Sequence, residues 1–128
     1  MSANLKDVTI FIADDDRMTR TALRLLLSEH WCKVVGEAAD GEKALEGCMA
    51  LQPDIAFIDI DMPKMNGHKA AQNIRSNCPD TGVIMISTLP TLSNVQQAMQ
   101  AGANAFVVKP FNTVKVIEAI EQCLRIFQ

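Results

Sequence analysis

Acidic side chains recur at the ends of apolar runs in this chain, and that placement is where chemistry would begin. Asp14, Asp15 and Asp16 follow the run 8–13, Asp59 closes the run 55–59, and Asp61 stands two residues further on. Ser87 and Lys109 close the later runs 83–87 and 105–109. Two carboxylates about 4 Å apart repel by roughly 4 kcal/mol at an effective dielectric near 20, so gathering these acids requires a cation or protons. The set lacks imidazole and thiolate, which makes Mg²⁺ the expected ion, with Mn²⁺ as the alternative. Mg²⁺ usually keeps coordination positions for water and phosphate oxygens, so a site that handles phosphoryl groups follows. Lys109 could pair with phosphoryl oxygens there, and the Ser87 hydroxyl could donate to another.

The elements that must bring these residues together can be read from periodicity. Five short apolar runs, 8–13, 33–37, 55–59, 83–87 and 105–109, read as strands, mostly buried on both faces. Helical spacing separates them: Met18, Ala22, Leu25 and Leu26; Ala44, Leu45, Cys48 and Met49; Gly67, Ala70, Ala71 and Ile74; Leu92, Val95 and Met99; Ile117, Ile120, Leu124 and Phe127. Asp16, Asp40 and Asn112 are expected helix caps. Strict alternation without a hairpin signal predicts an α/β fold, a flavodoxin-like (βα)5 doubly wound parallel sheet of order 2-1-3-4-5. Such sheets carry their ligand site at the C-terminal strand ends, near the point where strand order reverses. The acids, Ser87 and Lys109 would all lie along that edge.

Composition narrows the alternatives. The 128 residues, 48% of them hydrophobic, suit one domain spanning 1–128 with its core at about 8–127. Fifteen acids against twelve bases leave a formal charge of -3, and there is no basic run, so neither direct nucleic-acid binding nor attraction to an anionic membrane is expected. The apolar start is too short to span a membrane and runs into acids, unlike a signal peptide, so the expected compartment is the cytoplasm. Cys32, Cys48, Cys78 and Cys123 are scattered, with no CxxC pair, and read as reduced, buried small hydrophobes.

The ordered motifs Asp14-Asp15, Pro53-Asp54 leading into Ile58-Asp59, Met62-Pro63-Lys64-Met65-Asn66-Gly67, Ser87 and Lys109-Pro110-Phe111 resemble the response regulator receiver domain of two-component signalling systems, a CheY-like module. The resemblance implies a switch rather than a conventional enzyme, one that assists its own phosphorylation and dephosphorylation. By that resemblance Asp59 is the phosphoacceptor and, with Asp15, a direct metal ligand. Asp14 would act more remotely and Asp61 through its backbone carbonyl. Ser87 and Lys109 would read the phosphoryl group, and Phe106 would be the aromatic whose rotamer reports it. Lys109-Pro110 matches a bond usually cis in the family. The implied partners are a sensor histidine kinase or a histidine phosphotransfer protein upstream. Downstream, an effector or a second copy would bind the face of the fourth helix, fifth strand and fifth helix, 92–102 and 105–127.

Several residues depart from the family pattern or invite a plainer reading. Ser87 replaces the commoner threonine, Thr88 a smaller residue, and Asn66 an aspartate. Leu89 offers no polar group to orient a hydrolytic water, which points to a longer-lived phosphorylated state. Asp16 reads as a cap rather than a ligand, and His30 and His68 are given no phosphotransfer role. Met62 and Met65 read as packing, Gln96, Gln97 and Gln100 as a solvated face, and Trp31 as packed at the end of the first helix.

Three rival functions remain. Asp59-Ile60-Asp61 resembles the DxD of haloacid-dehalogenase-type phosphatases, although theirs follows the first strand and here it follows the third. A flavin mononucleotide binder would share the fold but would meet a repelling acidic loop where its phosphate must sit. A receiver used only for docking would not need the intact acids, Ser87 and Lys109.

Overall fold

The computed structural model describes residues 5–127. Its strands β1 (Thr9–Ala13), β2 (Lys33–Ala38), β3 (Ile55–Asp59), β4 (Gly82–Ser87) and β5 (Ala105–Val108) alternate with helices α1 (Arg17–Glu29), α2 (Gly41–Leu51), α3 (Gly67–Asn77), α4 (Leu92–Gln100) and α5 (Thr113–Ile126). All strand pairs are parallel, in the order β2-β1-β3-β4-β5. This is the doubly wound flavodoxin-like sheet expected from the alternation of runs.

Strand burial follows position in the sheet. Every residue of β3 and β4 is buried, because both strands have neighbours at their sides and helices over both faces. β2 departs from the expected pattern: only Ala38 is buried, since β2 is an edge strand with β1 on one side alone. The side chains divide into two cores. One joins Ile10, Ile12, Phe57, Ile84 and Ile86 to Leu23 and Leu27 of α1 and Val116 and Ile120 of α5. The other joins Phe11, Ile58, Val83 and Met85 to Ala44 of α2, Ile74 of α3 and Ala98 of α4.

Side-chain oxygens cap the helices. Asp16, Asp40 and Asn112 accept from backbone N–H groups of α1, α2 and α5, as expected, and Asn66 and Thr91 do the same for α3 and α4. The buried helical faces differ from the expected ones in three places, one of them on α2, where Met49 is 48% exposed. Leu23 and Leu27 are the buried residues of α1, while Met18 and Leu25 are 75% and 58% exposed. Leu25-Leu26-Leu27 supports more than one helical phase, and the sheet selects the phase containing Leu27. On α4 only Ala98 is buried, leaving Leu92 and Met99 exposed. Among the described residues no helix is long and apolar enough to cross a membrane.

Candidate functional site: an acidic cluster at the strand ends

Asp14 follows β1 and is fully buried, its N–H donating to the Ala38 carbonyl at 3.0 Å. Asp59 ends β3 opposite Ile86, and Ser87 ends β4. Lys109 follows β5, where its N–H donates to the Ser87 carbonyl at 2.8 Å. Parallel pairing therefore brings residues from four strand ends to one edge. Carboxylate oxygens of Asp14, Asp15 and Asp59 lie within 4.8 Å of one another. The Lys109 ammonium sits 2.9 Å from Asp14 Oδ2 and 3.4 Å from Asp59 Oδ1. The Lys109-Pro110 bond is cis.

The cluster is under-neutralised. Burial, followed by the charge of Asp14, pushes the Asp59 carboxyl up from 3.8 to about 6, against the pull of Lys109 and the Asp61 N–H. For Lys109, burial favours the neutral amine, but its hydrogen bond to Asp14 and the charges of Asp59 and Asp14 outweigh that and leave its pKa raised. One ammonium thus faces three carboxylates, two of them buried. An all-oxygen donor set with excess negative charge suits a hard divalent ion, Mg²⁺ or Mn²⁺.

The loop after β3 holds this arrangement in place by close backbone approach. A Cβ on Gly67 would fall 2.1 Å from the Asp59 carbonyl oxygen, and the Gly67 N–H donates to the Ile60 carbonyl at 2.8 Å. Asn66, where the resemblance would place an aspartate, accepts from the Lys69 N–H at 3.0 Å, a capping task either side chain performs. Asp61 is exposed beside this loop. On the opposite side the buried Ser87 hydroxyl accepts from the Leu89 N–H at 3.0 Å, and Leu89 itself is 58% exposed. Phe106 pairs with Met85 across β4 and β5 and packs, half-buried, against the core under α2, α3 and α4.

Other residues follow their plainer readings. Asp16 accepts from Met18 N–H and the Thr19 hydroxyl. His30 Nδ1 lies 3.0 Å from the Leu26 carbonyl. His68 has a buried Nδ1 with no partner among the described residues, and burial lowers its pKa against an opposing pull from Asp61. Met62 is buried, Met65 packs on the core, and Gln96, Gln97 and Gln100 are exposed. All four cysteines are free and buried. Trp31 differs from expectation: it is 74% exposed with a positive φ of 70°, because the chain reverses there at the end of α1 and carries the indole outward. It borders a cavity of about 610 Å³ whose lining includes none of the clustered acids.

Arg20 also belongs to the site, although nothing in the sequence singles it out. Its guanidinium Nη1 donates to the Asp14 carbonyl at 2.7 Å, and its Nε donates to Glu37 at 3.2 Å. An arginine six residues after an aspartate carries no local signal of that contact.

Comparison with known proteins agrees with the geometry. A family model described as the response regulator receiver domain matches residues 10–121. Protein CcdB of Bacillus subtilis is 37% identical over 115 residues, covering 90% of this chain and 96% of that protein. Chemotaxis protein CheY of Thermotoga maritima is 36% identical, covering 88% of this chain and 94% of its own. The structure of a CheX-CheY-BeF₃-Mg²⁺ complex from Borrelia burgdorferi matches at 30% identity with a TM-score of 0.86, covering 96% of this chain and 91% of that one. A sheet of this order, ending in clustered aspartates with a lysine among them, and a receiver match over most of the length lead to one conclusion: the chain belongs to the response regulator receiver family of two-component signalling.

Proposed function

We propose that this chain is a single receiver domain and cytoplasmic switch that accepts a phosphoryl group on Asp59 from a phosphohistidine donor, with Mg²⁺ bound by Asp14, Asp15, Asp59 and the Asp61 carbonyl. The observation that carries this reading is the buried Asp59 carboxylate held beside Asp14, Asp15 and Lys109 in one under-neutralised cluster. The divalent ion would neutralise charge on the phosphoryl oxygens and on the acids. An Asp59 oxygen attacks phosphorus as the phosphorus–nitrogen bond to the donor imidazole breaks, and the departing imidazole takes up a proton from solvent. Lys109, already paired with Asp14 and Asp59, then turns one or more N–H groups to the new phosphoryl oxygens. Dephosphorylation is a separate hydrolysis: a water attacks phosphorus as the bond to the Asp59 oxygen breaks and inorganic phosphate leaves, with Lys109 holding the phosphoryl oxygens in both reactions, so the chain assists each without acting on a separate substrate.

Readout would begin at Ser87. Its hydroxyl accepts from Leu89 N–H, and turning toward a phosphoryl oxygen breaks that bond. The loop before α4 then keeps the bond from Asn94 to the Leu89 carbonyl at 2.8 Å and the Thr91 cap of the helix. Phe106 fills the space that Ser87 leaves, and α4, β5 and α5 change the surface offered to an effector or a second copy. Exposed Leu92, Met99 and Val108 make that face suited to a partner. A sensor kinase or phosphotransfer protein supplies the phosphoryl group. The family relative crystallised with CheX, BeF₃ and Mg²⁺ supports a reading in which such a group and a partner meet on one receiver.

Intact mass measured after treatment with acetyl phosphate tests this reading. One added phosphoryl group, dependent on Mg²⁺ and absent in Asp59→Ala, is expected. Equal labelling of Asp59→Ala would move the acceptor elsewhere, and no labelling under any condition would favour a docking-only receiver.

A further inference from the structure

We infer that Arg20 is a positioning residue for the acidic cluster, clamping the Asp14–Asp15 peptide so that Asp15 faces the metal position; this inference rests on the Mg²⁺ site proposed above. Asp15 is exposed and has no hydrogen bond or ion pair of its own among the described residues. Its aim therefore depends on the two peptide units that flank it. The unit after it is held by Asp16 N–H, which donates to Asp14 Oδ1 at 2.8 Å. The unit before it carries the Asp14 carbonyl, and that oxygen accepts from Arg20 Nη1 at 2.7 Å. The strand partner of this turn is also engaged, because Arg20 Nε reaches Glu37 Oε1 on β2 at 3.2 Å and Arg24 reaches the other oxygen at 2.9 Å.

These contacts differ from an ordinary surface ion pair. The Arg20 side chain is 17% exposed against 43% for Arg24. Its planar guanidinium serves a backbone carbonyl and a carboxylate at once, which a lysine ammonium on a flexible stem cannot reproduce in the same geometry. It also stands near the positively polarised N-terminal end of α1, where a cation gains nothing from the helix dipole. A specific bond, rather than helix preference, accounts for an arginine there. Groups that orient metal ligands from behind typically change metal affinity by about 10–100-fold when removed.

The alternative role, a positive charge that happens to lie nearby, makes the opposite prediction. Removing such a charge would reduce repulsion of a cation and tighten Mg²⁺ binding, whereas removing a clamp would weaken it. Calorimetric titration of Mg²⁺ into the unphosphorylated full chain separates the two. Arg20→Ala is expected to raise the Mg²⁺ dissociation constant about tenfold. Arg20→Lys, which keeps the charge, should show a smaller rise in the same direction, and this variant decides the matter if Arg20→Ala does not fold. Unchanged or tighter binding in Arg20→Ala, or wild-type affinity in Arg20→Lys, would overturn the inference. An Asp15→Asn control separates the levels. If Asp15→Asn weakens Mg²⁺ binding while the Arg20 variants do not, the metal site stands and only the clamp falls; if the wild-type chain binds no Mg²⁺, both fall.

Discussion

The acidic cluster and α4 sit at the same end of the sheet but are built in opposite ways. At the cluster, Asp14, Asp59 and Ser87 are buried, β3 and β4 have no exposed residue, and the side chains are bonded on several sides. α4 has one buried residue and opens on exposed Leu92, and the loop before it carries exposed Leu89. The first region concentrates charge in a rigid frame, while the second is secured by few contacts that a small change can shift. A switch needs both: a site where an added charge is strongly felt, and an element whose equilibrium lies close to balance. Ser87 connects them, as the last residue of the rigid strand and the acceptor for the first bond of the soft loop.

If the rigid region stores uncompensated charge, the largest expected effect is on stability against pH. With no metal ion added, the folded Asp59 carboxyl titrates near 6, above its ordinary 3.8. The folded state then holds the extra proton between those values, so the contribution is fully favourable below about pH 4 and is lost as pH rises through 6. The loss should be roughly 3 kcal/mol at most. Denaturant unfolding of wild type and Asp59→Asn across this window should show the decline in wild type alone. His68 titrates in both proteins, so the difference between them isolates Asp59. Parallel curves would mean that the buried acids are not in conflict.

A smaller effect is expected from metal. Tenfold excess of Mg²⁺ over its dissociation constant should stabilise the fold by about 1.4 kcal/mol, and Asp15→Asn should remove most of that gain. A thermal midpoint unmoved across the titration would break the account of the rigid region. The smallest stability effect belongs to the soft region: Leu92→Ser should change unfolding free energy by no more than about 0.5 kcal/mol, since the side chain is 74% exposed. It should nevertheless weaken capture of an effector by the phosphorylated chain. Destabilisation well above that figure would show that α4 is anchored more firmly than its exposure indicates.

Much of the rigid region was legible because its signals are local. An apolar run that ends in an acid or a lysine marks a buried strand with a polar tip, and parallel order then brings the tips of Asp59, Ser87 and Lys109 together. Contacts that depend on distance in space were not legible. Arg20 reaches the Asp14 carbonyl only after α1 folds back along β1, and the need for Gly67 is visible only when the Asp59 carbonyl is seen 2.1 Å from where its Cβ would be. Periodicity misassigned Leu25, Leu92 and Met99 for a related reason. It registers that a helix has an apolar stripe, but what covers the stripe depends on neighbouring elements, and nothing among the described residues buries Leu92.

The claim that the two regions form one switch is tested most directly by amide chemical shifts recorded in Mg²⁺ with and without beryllofluoride, which forms a stable phosphoryl mimic on a receptive aspartate. Changes around Asp59 are expected to continue through Ser87 and Leu89 into α4, Phe106 and Lys109. Changes confined to the neighbourhood of Asp59, with Leu89, α4 and Phe106 unmoved, would contradict that claim.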